Sequence, residues 1–144
     1  MKIRTILTIM AVIAIFGTTA SAKKMPVPKM YMFGLAAAFT DTIVHFTTIQ
    51  EVDSTWIDTK NKFLQNREDY SYQLREYMSN KLNMPHRTCM VFFNQNQKKL
   101  EKKLLKMKNL YTDPKKNQRH YDMRIIDDSD FHFKSIPYTE PETP

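Results

Sequence analysis

The stretch Met30-Tyr-Met-Phe-Gly-Leu-Ala-Ala-Ala-Phe39 decides the fold that this sequence predicts. Large side chains occupy alternate positions, at Tyr31, Phe33, Leu35 and Phe39. The positions between them include the small residues Gly34, Ala36 and Ala38. Because successive side chains of a strand point to opposite faces, this pattern predicts a strand buried on both faces. The small residues further predict that a helix approaches one of these faces closely.

The segments around this strand predict a single α+β domain. A β-branched and aromatic run predicts a second strand, and Asp53-Ser54-Thr55 supplies N-cap residues for a helix. The remaining predicted elements are helices at about 55–65, 69–84 and 96–111, and strands at 43–50, 87–94, 121–126 and around Phe131. We therefore expect the order ββααβαβ, with a mixed sheet of four to five strands and its helices packed on one face. The opposite face of the sheet carries aromatic residues and must be covered by the tail, a loop or a partner.

The first 22 residues are typical of a secretory signal peptide. Lys2 and Arg4 precede a short apolar run, and Ala20-Ser21-Ala22 places small residues where signal peptidase cleaves. Cleavage after Ala22 predicts an exported protein, periplasmic or secreted, that begins at Lys23. The remaining predicted regions are an extended leader at 23–29, the domain at 30–136 and a disordered tail at 137–144.

The charge pattern gives one candidate contact surface. The chain has a formal net charge of +7, and the predicted helix at 96–111 concentrates lysines around an apolar stripe. Docking of that stripe would turn four lysines outward together, at Lys98, Lys99, Lys102 and Lys106. Such a face predicts contact with an acidic envelope component or another protein, whereas the alternative is a solvated surface. An exported protein is not expected to meet nucleic acid, and membrane contact would be peripheral.

Catalytic and metal-binding patterns are weak in this sequence. The single cysteine, Cys89, excludes an intrachain disulfide and is interpreted as a buried core residue. The four histidines are scattered, and the acidic turn at 127–130 lacks the spacing of a calcium loop. Only Gly34 and Gly17 are glycines, so no glycine-rich phosphate loop exists. We predict no catalytic residue, cofactor or metal site.

A second group of cations gives another candidate site. Three arginines and two tyrosines could line an anion pocket, or they could be surface groups: Arg67, Arg75, Arg87, Tyr70 and Tyr72. The sequence leaves both alternatives open.

Five segments of the sequence carry a family resemblance: Phe39-Thr40-Asp41, His45 to Gln50, Lys62-Phe63-Leu64 with Arg67, Tyr70 to Leu74, and His86 to Cys89. In these segments the chain resembles a family of small exported proteins from Bacteroides-type bacteria. The resemblance would cover about residues 30–133. It implies a Gram-negative envelope setting, and it transfers no catalytic residue to this chain. We expect a non-enzymatic binding or interaction module; the alternatives are a small periplasmic hydrolase or transferase, or a secreted effector.

Overall fold

A computed structural model describes residues 23–138 of the chain. The predicted signal peptide and the end of the predicted tail lie outside these residues. The elements run in the order β1 (Lys24–Ala37), β2 (Ile43–Thr47), β3 (Gln50–Asp58), α1 (Arg67–Asn80), β4 (Thr88–Asn94), α2 (Gln97–Thr112) and β5 (Asp122–Ile126). The predicted class is confirmed: the fold is α+β, with a mixed sheet of five strands.

The long strand β1 organises the sheet. Its first half pairs with β3, and its second half pairs with β2 and with β4, all in antiparallel register. The strand β5 joins the sheet by pairing with β2 in parallel. The predicted stretch around Gly34 therefore lies at the centre of the sheet, as its burial on both faces requires.

The two faces of β1 bury two separate cores. Met30, Met32 and Ala36 pack in one core with the buried side chains of α1, which are Tyr70, Leu74 and Met78. Phe33 and Leu35 pack in the other core with Leu100, the fully buried residue of α2. Because successive residues of a strand face opposite sides, the two helices lie on opposite faces of the sheet.

Gly34 explains how closely α1 approaches the sheet. A Cβ atom at this position would lie 2.6 Å from Leu74 Cδ2 and 3.2 Å from Phe133 Cζ. The predicted close approach of a helix to the small face is thus confirmed.

An extended segment after β5, residues 131–136, packs beside α1; we call it the C-terminal strap. The Gln50 side-chain amide bonds to the backbone of this strap at two residues: Nε2 donates to Phe131 O at 2.6 Å, and Oε1 accepts from Phe133 N at 2.8 Å. Gln73 makes the same pair of bonds with Lys134, each at 2.9 Å. Two side-chain amides therefore replace the strand pairing that was predicted around Phe131.

Three expectations about the fold are wrong. Residues 50–58 form β3 instead of the start of a helix at 55–65, so the order is βββαβαβ. The helices do not share one face; α2 itself covers the aromatic face that was expected to be covered by the tail, a loop or a partner. Residues 24–29, predicted as a leader, belong to β1. Among the strands they pair only with β3, and the free edge tolerates their two prolines.

Candidate functional site: the basic face of the second helix

The helix α2 matches the predicted lysine helix within one residue. Asn96 is its N-cap, and the Asn96 side chain accepts a hydrogen bond from Lys99 N at 3.2 Å. The predicted apolar stripe packs inward: Leu100 is buried, and Leu104, Met107 and Tyr111 are partly buried against the same core. This packing supplies the tertiary support that a helix of this length needs in water.

Docking of the stripe leaves the four predicted lysines exposed; we call Lys98, Lys99, Lys102 and Lys106 the basic face. At 1.5 Å rise per residue, the face extends about 12 Å along the helix. Within residues 23–138, no lysine of α2 lies within salt-bridge distance of a carboxylate. The charges of the basic face are therefore not neutralised by the described part of the chain.

A groove beside the basic face adds a second set of cations. It has a volume of about 320 Å³ and lies between the start of α1, the end of β4 and the first turns of α2; we call it the β4 groove. Its lining residues are Arg67, Phe92, Phe93, Asn94, Lys99, Leu100 and Lys103. Lys99 belongs to both the groove and the basic face, so the two features form one continuous basic surface.

Aromatic rings position two cations of the β4 groove. The Arg67 guanidinium carbon lies 5.6 Å from the centre of the Phe93 ring, and Lys103 Nζ lies 5.6 Å from the centre of the Phe92 ring. Arg67 Nε also donates to Val91 O at 3.2 Å. Both distances to the rings are within the range of cation–π attraction.

The three arginines of the suggested anion pocket do not come together. Arg87 is buried and is held by both carboxylate oxygens of Asp41, while its Nη1 also donates to Ile43 O at 3.2 Å. The hydrogen bond from Arg87 is the main reason that the pKa of the Asp41 carboxyl lies below its ordinary value. Arg75 and Tyr72 line another groove with Glu68 and Asp69. Only Arg67 contributes to the basic surface.

His45 is the buried histidine of the sheet. It is 4% exposed, and its Nδ1 has no hydrogen-bond partner among residues 23–138. Burial lowers the pKa of its imidazole, and the nearby cations Arg124 and Arg87 lower it further. His45 therefore stays neutral at pH 7.

Cys89 is half-buried and packs against the α1 core. Burial raises the pKa of its thiol, although Arg75 and Arg87 oppose this effect. The protonated thiol is a poor nucleophile, which agrees with its interpretation as a core residue.

Metal-binding side chains are dispersed in the described structure. His132 Nδ1 pairs with Asp128 in the acidic turn. Between residues 23 and 138, no three His, Cys, Asp or Glu side chains are grouped so that they could hold a metal ion. Over the same range, no helix is long and apolar enough to cross a membrane.

Sequence reasoning missed the β4 groove. Its parts come from three segments, and Arg67 is far from α2 along the chain. The one signal in the sequence was the pair Phe92-Phe93 next to the lysine-rich helix, which was interpreted only as strand core.

Searches of protein-family models, curated proteins and solved structures found no match to this chain. The resemblance to small exported proteins of Bacteroides-type bacteria stays a prediction.

Proposed function

We propose that this chain is exported and acts as a non-enzymatic binding module, with its basic surface in contact with an anionic component of the cell envelope. The observation that carries the proposal is the basic face: four exposed lysines on one helix, fixed in direction by a buried stripe and unpaired with any carboxylate of residues 23–138.

The physical argument is electrostatic. Like charges at i, i+4 oppose helix formation by a few tenths of a kcal/mol per pair, so the lysines of the basic face lower the stability of α2. An anionic partner removes that repulsion and gains attraction from each lysine. Exposed charges are screened over about 8–10 Å at physiological salt, so the contact should be salt-sensitive.

The proposed location follows from the first 22 residues. If they act as a signal peptide, the mature chain starts at Lys23, immediately before β1. Mass spectrometry of the protein from its native host tests this step. A chain that begins at Lys23 supports export, whereas an intact Met1 in the mature pool contradicts it.

The binding step is tested with two variants of equal charge. The first replaces Lys98, Lys99, Lys102 and Lys106 by Gln; the control replaces Lys60, Lys81, Lys116 and Lys134, which are exposed and scattered over other segments. Glutamine has a helix propensity close to that of lysine, so α2 should remain folded. Retention on a dextran sulfate column at low salt should be lost in the first variant and kept in the control.

Either of two results contradicts the proposal. Equal retention of both variants would mean that net charge alone determines binding. No retention of the parent protein would leave the basic face as a solvated surface.

A further inference from the structure

We propose that the β4 groove is the specific part of this surface and binds a phosphoryl group, so that the anionic partner is a phosphorylated molecule. The inference rests on the proposed function and adds the chemistry of the recognised group.

The polar atoms that line the groove are set up as donors. Arg67 uses Nε on Val91 O, which leaves the two Nη nitrogens of its guanidinium fork for a ligand. The Asn94 side-chain oxygen already accepts from Asn96 N at 2.8 Å, so its amide nitrogen is the remaining hydrogen-bonding group. Lys99 and Lys103 form no ion pair with residues 23–138.

None of the carboxylates in residues 23–138 lines the groove. Glu68 and Asp69 follow Arg67 directly in α1, but they line the neighbouring groove with Arg75 and Cys89. A cavity lined by three cations and an amide donor, without an acidic group, favours an oxyanion over a cation or a neutral ligand.

Two of the three cations, Arg67 and Lys103, are positioned by contacts within the protein. The Phe92 ring, which lies under Lys103, stacks on the buried Phe33 ring with centres 4.9 Å apart. Phe93 and Val91 O hold Arg67 in the same way from the other side. Because these contacts restrict the Arg67 and Lys103 side chains, binding loses less conformational entropy than binding by free surface lysines.

The donor set favours a phosphoryl group in particular. A guanidinium fork pairs with two phosphate oxygens, and two ammonium groups are available for the remaining charge. A carboxylate has only two oxygens and a single charge, so it would leave part of this set unused. The volume of about 320 Å³ is at the lower end of the range for ligand pockets and admits the group with part of its carrier.

The experiment is an NMR titration of the folded domain with inorganic phosphate, with acetate as the reference anion at equal ionic strength. Amide shifts should concentrate at residues 92–94 and 99–103. The variant Arg67→Gln/Lys103→Gln should bind phosphate with an affinity that is lower by at least about tenfold. The control Lys60→Gln/Lys81→Gln removes the same charge at exposed sites outside both the groove and the basic face and should change the affinity by less than about threefold.

Vesicles then identify the source of the group. Binding to phosphatidic acid vesicles that is lost in the groove variant would indicate a lipid headgroup; phosphate binding without vesicle binding would indicate a soluble phosphorylated compound. Both results support the assigned group.

Because Arg67 also bonds to Val91 O, the single variant Lys103→Gln, which removes no hydrogen bond of the fold, is measured beside the double variant.

Two results overturn the inference. One is an equal loss of phosphate affinity in the groove and control variants; the other is a response to acetate as strong as the response to phosphate. If either occurs while dextran sulfate retention still depends on the basic face, the groove assignment fails and the proposed function stands. Loss of that dependence would remove the proposed function itself.

Discussion

Gly34→Ala tests the packing that positions α1 on the sheet. The added Cβ would lie 2.6 Å from Leu74 Cδ2, a contact that requires the fully buried Leu74 side chain to move. Overpacking of a dense core costs roughly 1–3 kcal/mol. The smaller conformational freedom of alanine in the unfolded chain returns about 0.4–1 kcal/mol. We therefore expect a net loss of unfolding free energy of about 0–2.6 kcal/mol, which is the difference between these two ranges.

A double-mutant cycle with Leu74→Ala separates this clash from other effects. Leu74→Ala alone should cost about 2–5 kcal/mol because it leaves a cavity. In that background the clash with Leu74 is gone and the nearest remaining atom is Phe133 Cζ at 3.2 Å, so Gly34→Ala should become close to neutral. The coupling between the two positions should be about 1–3 kcal/mol.

The assay is urea unfolding followed by circular dichroism, with the four proteins measured at one pH. Additive effects in the cycle would refute the reasoning, as would a Gly34→Ala protein that is more stable than the parent. Either result would mean that α1 does not press on the sheet at this point.

Two further predictions concern buried titratable groups. The pKa of His45 is lowered in the folded state, so the unfolded chain binds this proton more readily and the unfolding free energy should fall as pH drops below about 6.5. His45→Gln should flatten the dependence of the unfolding free energy on pH, whereas His120→Gln, at an exposed histidine, should leave that dependence unchanged. An unchanged slope in His45→Gln would exclude His45 as its source. The Cys89 thiol should react with a thiol reagent more slowly in the folded than in the unfolded protein, and Cys89→Ala should cost about 1–2 kcal/mol without loss of dextran sulfate retention. Rapid labelling of the folded protein would indicate a reactive thiol instead.

The sequence predicted an element and its packing correctly where a single pattern of residues was clear. Alternation around Gly34 predicted a central strand with a helix close to its small face, and the stripe from Leu100 to Tyr111 predicted α2 with its exposed lysines. In both cases local spacing and tertiary burial agree, so the local signal was reliable.

The third strand was missed because its buried residues do not keep the two-residue period of a regular strand. Val52 and Thr55 are both buried although they are three residues apart, and Ser54 between them has a positive φ of 57°. The local distortion breaks the two-residue period of the strand. Asp53, Ser54 and Thr55 are also favoured N-cap residues, so the composition supported the same wrong interpretation.

The opposite placement of the helices depends on tertiary contacts. Each helix has one apolar stripe, and a stripe does not specify which face of a sheet it covers. The β4 groove has the same origin: Arg67 meets Phe93 and the lysines of α2 only because α1 and α2 begin on either side of β4.

The most direct test of the central claim is the salt dependence of binding to dextran sulfate. For a polyanion, the logarithm of the binding constant falls with the logarithm of salt concentration in proportion to the cations engaged. We predict that the slope of the basic-face variant, with Lys98, Lys99, Lys102 and Lys106 replaced by Gln, is shallower than that of the parent. The scattered control with Lys60, Lys81, Lys116 and Lys134 replaced should keep the parent slope. Equal slopes for the parent and the basic-face variant would show that these four lysines do not contact the polyanion, and would contradict the account.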